Sequence, residues 1–490
     1  MSGSDQGDQG GVLGSWETVI GLEVHCELAT STKLFCGCSN VFGQEPNTNI
    51  CPVCLGLPGS LPVLNRHAVE LAEAIGIALR CDIVASRFHR KNYFYPDMPK
   101  DFQISQYDAP INTGGRLELA DGTVIAIERA HLEEDTGKTT HVGGTGRIGG
   151  AEYALIDYNR SGVPLVEIVS APDLRSAAQA RAYAMELRSI LVATGASDGR
   201  MEEGSMRIDA NVSVRRSKEA MGTRCEIKNL NSMRSLLRAV DYEASRQIEV
   251  LGSGGRVAQE TRHWDEDGGR TLSMRSKEQV DDYRYFPEPD LVPVVPGRAD
   301  LARIAAGLGP MPAERRSALA GLLGADLTAA QAEQIRSVVA SDLDGLVRRA
   351  CEHGVPPGLA LARTANEVAA DAEAARSLDP DALGKLLLME ASAELSASQT
   401  KLVLGALMKH GGDPADIARQ LGLSAMGQNE LASALDEVIA LHPGAWERYL
   451  GGDDKVAGML IGQVMRLTAK RADGAALAAE LAERRQGHPH

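Results

Sequence analysis

Between positions 17 and 28 the chain alternates strictly: Ile20, Leu22, Val24, Cys26 and Leu28 share one parity, and Glu23, His25 and Glu27 share the other. A period of two is the signature of a strand, because successive side chains leave opposite faces of the backbone. This run therefore demands a sheet with one apolar side. Its other side aligns a carboxylate, an imidazole and a carboxylate, which is half of a metal site or, more blandly, the wet face of a half-buried strand. The rest of the chain has to decide between the two.

A chain of 490 residues is too long for one core and calls for two to four domains. All six Phe and nine of the ten Tyr lie at or before Phe286, and from about Leu301 the sequence turns to Ala, Leu, Glu, Asp and Arg with helical periodicity. The Pro-rich passage from Pro287 to Pro296 is the natural boundary. Ahead of it, short β-rich runs at 124–128, 153–157, 165–169 and 207–215 alternate with helical stretches near 66–79, 177–194 and 232–249. The expected fold class is α+β: a large mixed domain with antiparallel strands over 16–295, preceded by a disordered leader at 1–15. Two all-α units follow, at 296–395 and 396–490.

No apolar run approaches the roughly 20 residues of a membrane span, and the first fifteen residues lack the apolar segment of a signal peptide. A cytoplasmic protein with no membrane partner is expected. The net charge of −15 argues against a general nucleic-acid binder, although a local basic face remains open.

Four of the eight cysteines form a Cys36-x-Cys38 pair and a Cys51-x2-Cys54 pair separated by twelve residues. Two close pairs in a chain without a secretory signal have the spacing of a zinc knuckle, each pair supplying two thiolates from one turn. Unrelated buried thiols are the competing explanation. Four thiolates leave no open coordination position, so Zn2+ there would be structural and a stand-alone zinc hydrolase is disfavoured.

The glycines at 144, 146 and 149 imitate a dinucleotide fingerprint, but a strand-like run follows them where that motif needs a helix. A Gly-rich hairpin is the better explanation. Position 132 is Leu where a phosphate-binding loop before Lys138 would need Gly, so that motif is absent.

The acidic residues say more. Glu133, Glu134 and Asp135 follow His131-Leu132, and Glu167 interrupts the apolar run 164–169. A carboxylate inside an apolar strand is costly unless it is paired or holds a cation. For Glu167 an exposed edge or a salt bridge to Arg160 competes with a functional role. Together with Glu23 and His25 these residues offer hard ligands suited to Mg2+, whose usual companion is a phosphate. The polar side of Asp209, Asn211 and Ser213 is a further candidate, with a solvated surface as its competitor. Interleaved aromatic, cationic and amide residues at 90–106 and 281–290 have the composition of a polar cleft wall or of an aromatic mini-core.

Seven segments resemble one family closely. They are Glu17-Thr-Val-Ile-Gly-Leu-Glu-Val-His25, Arg90-Lys-Asn-Tyr-Phe-Tyr-Pro-Asp97, His131-Leu-Glu-Glu-Asp-Thr-Gly-Lys138 and Asp157-Tyr-Asn-Arg-Ser-Gly-Val-Pro-Leu165, then Met201-Glu-Glu-Gly-Ser205, Glu226-Ile-Lys-Asn-Leu-Asn-Ser232 and Asp281-Asp-Tyr-Arg-Tyr-Phe-Pro287. The family is that of the B subunits of aspartyl/glutamyl-tRNA amidotransferases, and Gly458-Met-Leu-Ile-Gly-Gln-Val-Met465 is similar to its helical tail. The resemblance implies a cradle-like catalytic domain, a helical linker and a YqeY-like tail. It also implies ATP-dependent amidation of Asp or Glu esterified to tRNA, in a heterotrimer whose A subunit is a glutaminase and whose third chain is a C subunit. By the same resemblance Mg2+ falls to Glu23, His25, Glu167 and the Glu133–Glu134 pair, with Glu134 preferred, and Lys91 sits where ammonia arrives. In the tail, Arg466, Lys470 and Arg471 stand at helical spacing and are candidates for tRNA phosphates, with a solvated helix face as the alternative. A non-catalytic tRNA-binding scaffold is the competing class, against which the acidic constellation argues.

Overall fold

The computed structural model describes residues 16–143, 150–217, 219–274, 283–423, 428–468, 472 and 474–487. The leader at 1–15, the hairpin glycines at 144–149, Asp281 and Asp282, and Lys470 and Arg471 of the tail lie outside the described residues. The chain forms two compact units, 1–312 and 313–490.

In the first unit the elements run β1 (Trp16–Glu27), α1 (Arg66–Ala78), β2 (Asp82–Ile83), β3 (His89–Asn92), β4 (Phe102–Ser105), β5 (Asn112–Glu118), β6 (Val124–Glu134), β7 (Lys138–Val142), β8 (Tyr153–Asp157) and β9 (Pro164–Ser170). They continue with α2 (Ala177–Ala193), β10 (Met206–Arg216), β11 (Cys225–Leu230), α3 (Met233–Gly252), β12 (Thr261–Asp265), β13 (Arg270–Ser273), β14 (Phe286–Pro287) and α4 (Arg298–Gly307). Strands β7 and β8 pair as a hairpin of their own, so a strand and not a helix follows the glycine-rich segment. The other twelve strands build one sheet in the order β13-β12-β11-β10-β1-β9-β6-β4-β3-β14, with β5 and β2 branching from β6. Among the described residues only the β11–β12 pair is parallel. The fold is α+β.

The alternation of β1 explains the layers. Ile20, Leu22, Val24, Cys26 and Leu28 are buried in a core shared with Val166 and Ile168 of β9, Ala130 and Leu132 of β6, and Ile208 and Val212 of β10. Burying a side chain of this kind stabilises the fold by about 1.5–3 kcal/mol. Helices α1, α2 and α3 cover this side with Leu71, Ile75, Tyr183, Leu187, Leu236 and Val240. Each helix starts where the sequence supplies a cap: the side chains of Asn65, Ser176 and Ser232 accept the first free backbone N–H groups. The polar parity of β1 is displayed on the opposite face of the sheet.

Helix α4 lies beyond the Pro-rich passage yet belongs to the first unit. Its Arg303 pairs with Glu70 of α1 at 2.8 Å, and its Asp300 with Arg66. The second unit is helical, as the composition after 301 implies. Its apolar side chains form one cluster from Leu319 to Ala418 and another from Leu431 to Leu481. Helix Ala397–His410 buries Val403, Leu404 and Leu407 in the first of these, so that cluster runs past position 395. No described helix is long and apolar enough to cross a membrane.

Candidate functional site

Cross-strand register gathers the polar residues onto one surface, because directly paired residues share a face. His25 on β1 is paired with Glu167 on β9 and with Arg207 on β10; Glu23 is paired with Asp209, and Glu167 in turn with His131 on β6. Farther across, Ser105 faces Glu133, and Lys91 faces Gln103. On the other flank, Lys228 of β11 donates to Asp209 Oδ2 at 2.9 Å. One side of the sheet thus carries carboxylates, imidazoles and cations from six strands, β1, β3, β6, β9, β10 and β11. This is where the alternation at residues 17–28 leads.

At its centre, ligand atoms of His25, Glu133 and Glu167 lie within 4.8 Å of one another. His25 Nε2 is 3.6 Å from Glu167 Oε2 and 3.9 Å from Glu133 Oε1. The electrostatics are those of crowded carboxylates. Burial, followed by the Glu167 charge, lifts the Glu133 pKa to about 7. Burial also works against charge on Glu167, but the hydrogen bond from His25 and the charges of His131, His25 and Arg129 hold its carboxyl far below the usual range. For His25 burial opposes protonation, and the Glu167 and Glu133 carboxylates outweigh it to push the imidazole up to about 9. Glu23 stands beside this group: burial and Glu167 raise it, while Asn211 Nδ2 donates to its Oε1 at 2.8 Å.

Two residues that the sequence did not single out complete the centre. His131 is wholly buried and neither ring nitrogen has a hydrogen-bond partner; Nε2 lies 3.8 Å from Glu167 Oε2 and 4.0 Å from Glu133 Oε2. Arg129 reaches Glu167 Oε1 at 3.5 Å and lies under the Tyr107 ring, 4.7 Å from its centroid. Tyr107 stacks on Tyr285, and Lys91 Nζ lies 4.6 Å from the Tyr283 ring, so these aromatics border the polar face. An unpartnered buried imidazole beside two close carboxylates and a third raised one is a donor set that a divalent cation fits.

Glu134, which the resemblance prefers over Glu133, points away from this centre. Neighbours in a strand point to opposite faces, and Glu134 shares the core parity of Ala130 and Leu132. Its carboxylate is held by the Lys100 ammonium and by the Ile104 N–H. Arg160, the competing partner for Glu167, pairs with Asp135 at 3.4 Å. Arg466 is exposed on helix Lys455–Leu467.

The sulfur atoms of Cys36, Cys38, Cys51 and Cys54 also lie within 4.8 Å of one another, a group able to hold a metal ion. The Cys36 thiol draws the Cys54 pKa down to about 5 against the effect of burial, and the Cys51 N–H, donating to the Cys54 sulfur at 3.1 Å, and the Lys33 charge act in the same direction.

An α+β sheet that collects paired carboxylates, imidazoles and guanidinium groups on one open face defines an enzyme whose chemistry handles strong charge. Comparison with known proteins narrows the class. Residues 18–301 match the family model described as the GatB/GatE catalytic domain, and residues 354–484 match one described as the GatB domain. The aspartyl/glutamyl-tRNA(Asn/Gln) amidotransferase B subunit from Frankia casuarinae is 47% identical over 491 residues, covering 96% of each chain. Proteins of the same description from Streptomyces avermitilis and Carboxydothermus hydrogenoformans are 46% and 45% identical, over 94% of this chain in both cases and over 94% and 96% of their own lengths. This chain belongs to the GatB family of amidotransferase B subunits.

Proposed function

We propose that the chain amidates Asp or Glu carried by tRNA(Asn) or tRNA(Gln), the substrates in its relatives' names, at the polar face of the sheet. A carboxylate does not react with ammonia, so ATP first transfers its γ-phosphoryl group to the side-chain carboxylate of the tRNA-bound amino acid. Ammonia then forms the C–N bond, and phosphate departs with the C–O electron pair. The observation that carries this reading is the convergence of His25, Glu133 and Glu167 within 4.8 Å on one face of the sheet.

These three residues, with Glu23 beside them, would hold Mg2+. When bound, Mg2+ supplies the positive charge that lets a polyphosphate sit beside carboxylates. Arg129 and Lys91 add cationic nitrogens on the same face, placed to bind and orient phosphoryl oxygens. Burial of His131 and Glu133, beside a Glu167 side chain 13% exposed, limits the water that would hydrolyse an activated carboxylate. The four cysteines would hold a structural Zn2+, all four positions being filled by thiolates.

Ammonia is assigned to a glutaminase A subunit in a cytoplasmic heterotrimer with a C subunit, entering near Lys91. Arg466, Lys470 and Arg471 of the helical tail are assigned to tRNA phosphates. The test is Glu167→Gln in the assembled complex, with mischarged tRNA, ATP and glutamine. Amidation is lost while glutamine hydrolysis continues; full amidation by this variant overturns the assignment.

A further inference from the structure

A second cationic feature lies at the end of the sheet where β1 finishes and β10 starts. A groove of about 590 Å³ opens between α2, the loop 199–205 and the start of α3, lined by Arg181, Arg188, Gly199, Glu202, Ser232 and Arg234 among others. Three guanidinium groups face one carboxylate there, a local reversal of sign in a chain of net charge −15. Arg181 and Arg234 are exposed, and the Arg234 charge also acts on the Glu266 carboxylate. Arg188 is half-buried and held in place: its Nε donates to Gly199 O at 2.7 Å. Gly199 has φ +62°, and a Cβ on it would come within 2.9 Å of Arg188 Cγ, so the tight approach of loop to helix requires glycine.

We infer that this groove binds the sugar-phosphate backbone of an RNA strand. Arg181 and Arg188 lie two turns apart on α2, a rise of about 10 Å, and Arg234 faces them from α3. That spread suits successive phosphates better than one small anion. Among the described residues no aromatic ring lines the groove, so the contacts are to backbone and carry no base preference. Position supports the same occupant. The Glu27 N–H donates to Ser205 O at 2.8 Å, which ties the groove's loop to β1 two residues from His25. The groove therefore lies at the end of the sheet where β1 carries His25. The inference rests on the proposed tRNA substrate and assigns it residues in the first unit.

The experiment measures binding of uncharged tRNA to the full chain between about 50 and 200 mM KCl, without ATP or Mg2+. Arg181→Glu combined with Arg234→Glu weakens binding about tenfold or more at 100 mM and lowers the salt slope by about two; Arg181→Gln alone lowers it by about one. Both arginines are exposed, and unchanged circular dichroism checks the fold. Arg116→Glu, at an exposed position of β5, is a charge reversal away from the groove and leaves the slope unchanged. Superimposable curves for the groove variants and the control overturn the inference. So does displacement of a groove-bound probe by inorganic phosphate with tRNA binding unaltered, which assigns the groove to a small anion. Glu167→Gln leaves every one of these binding curves unchanged, so a failure of the catalytic assignment is read separately.

Discussion

His25 and Glu167 stand directly opposite each other on adjacent antiparallel strands, imidazole Nε2 3.6 Å from carboxylate Oε2. Neither side chain can leave the polar face without breaking the register of β1 against β9. A pair fixed by backbone pairing is preorganised, and its removal costs function before it costs the fold. His25→Ala is expected to raise the Mg2+ concentration needed for half-maximal amidation at least about tenfold, with far-UV circular dichroism unchanged. Titrating the reaction with MgCl2 checks it.

Glu133 and Glu134 are sequence neighbours with opposite fates. Glu134→Gln strands the Lys100 ammonium, whose side chain is 7% exposed, and should lower stability by about 3 kcal/mol. Glu133→Gln relieves a crowded negative centre and should leave the unfolding midpoint unchanged or higher while amidation is lost. Denaturant unfolding and activity assays on the two variants separate the roles; equal stability loss in both contradicts the structure.

The cysteine knuckle makes a metal-content prediction. Chain produced with zinc should carry one equivalent by mass spectrometry of the metal, and a strong chelator should expose four additional reactive thiols. Cys54→Ser should cut the zinc content sharply. Zinc-free protein with all four of these thiols already reactive would contradict the prediction.

Glu243 of α3 is fully buried, its carboxylate accepting from Arg246 at 2.6 Å, Gln247 at 2.9 Å and Thr271 at 2.8 Å. Burial alone would raise its pKa, but the Arg246, Gln247 and Thr271 hydrogen bonds hold it below the ordinary 4.5. A depressed carboxyl contributes stability that is full above 4.5 and is lost as pH falls below that value. Glu243→Gln should therefore destabilise the chain at pH 7 by about 3 kcal/mol and flatten the acid limb of its stability profile. Urea midpoints between pH 3 and pH 7 give the test.

Much of this arrangement is legible before folding, and the part that is not has a specific cause. The parity of residues 17–28 gives the two faces of β1, and the cysteine spacing gives the knuckle cluster. Strand β6 misleads. Ile125 and Ile127 are buried, and continuing their parity would put His131 and Glu133 in the core and Glu134 in the pocket. Between Ile127 and Arg129 the register against β9 slips, so Ala130 and Leu132 take over the core side and the polar face receives His131 and Glu133. An inserted residue in a sheet reverses every side chain after it. The apolar pair Ala130 and Leu132 was the one local signal of that reversal. His131 stayed hidden because an imidazole next to a carboxylate run resembles a solvated turn, and only its burial without a partner distinguishes it. The arginine groove escapes any linear reading, since its members come from α2 and α3.

The sheet order has a consequence for how the protein is made. Glu23 and His25 are synthesised well before the two strands that flank theirs, β9 and β10, which follow more than a hundred residues later. Until then β1 has an apolar face and no neighbour on either edge. A nascent or prematurely terminated chain ending before β9 therefore holds Glu23, His25 and Glu133 without the strands that set their spacing. Such a fragment exposes two unpaired strand edges, and it would be a target for chaperones and proteases long before it could be a catalyst.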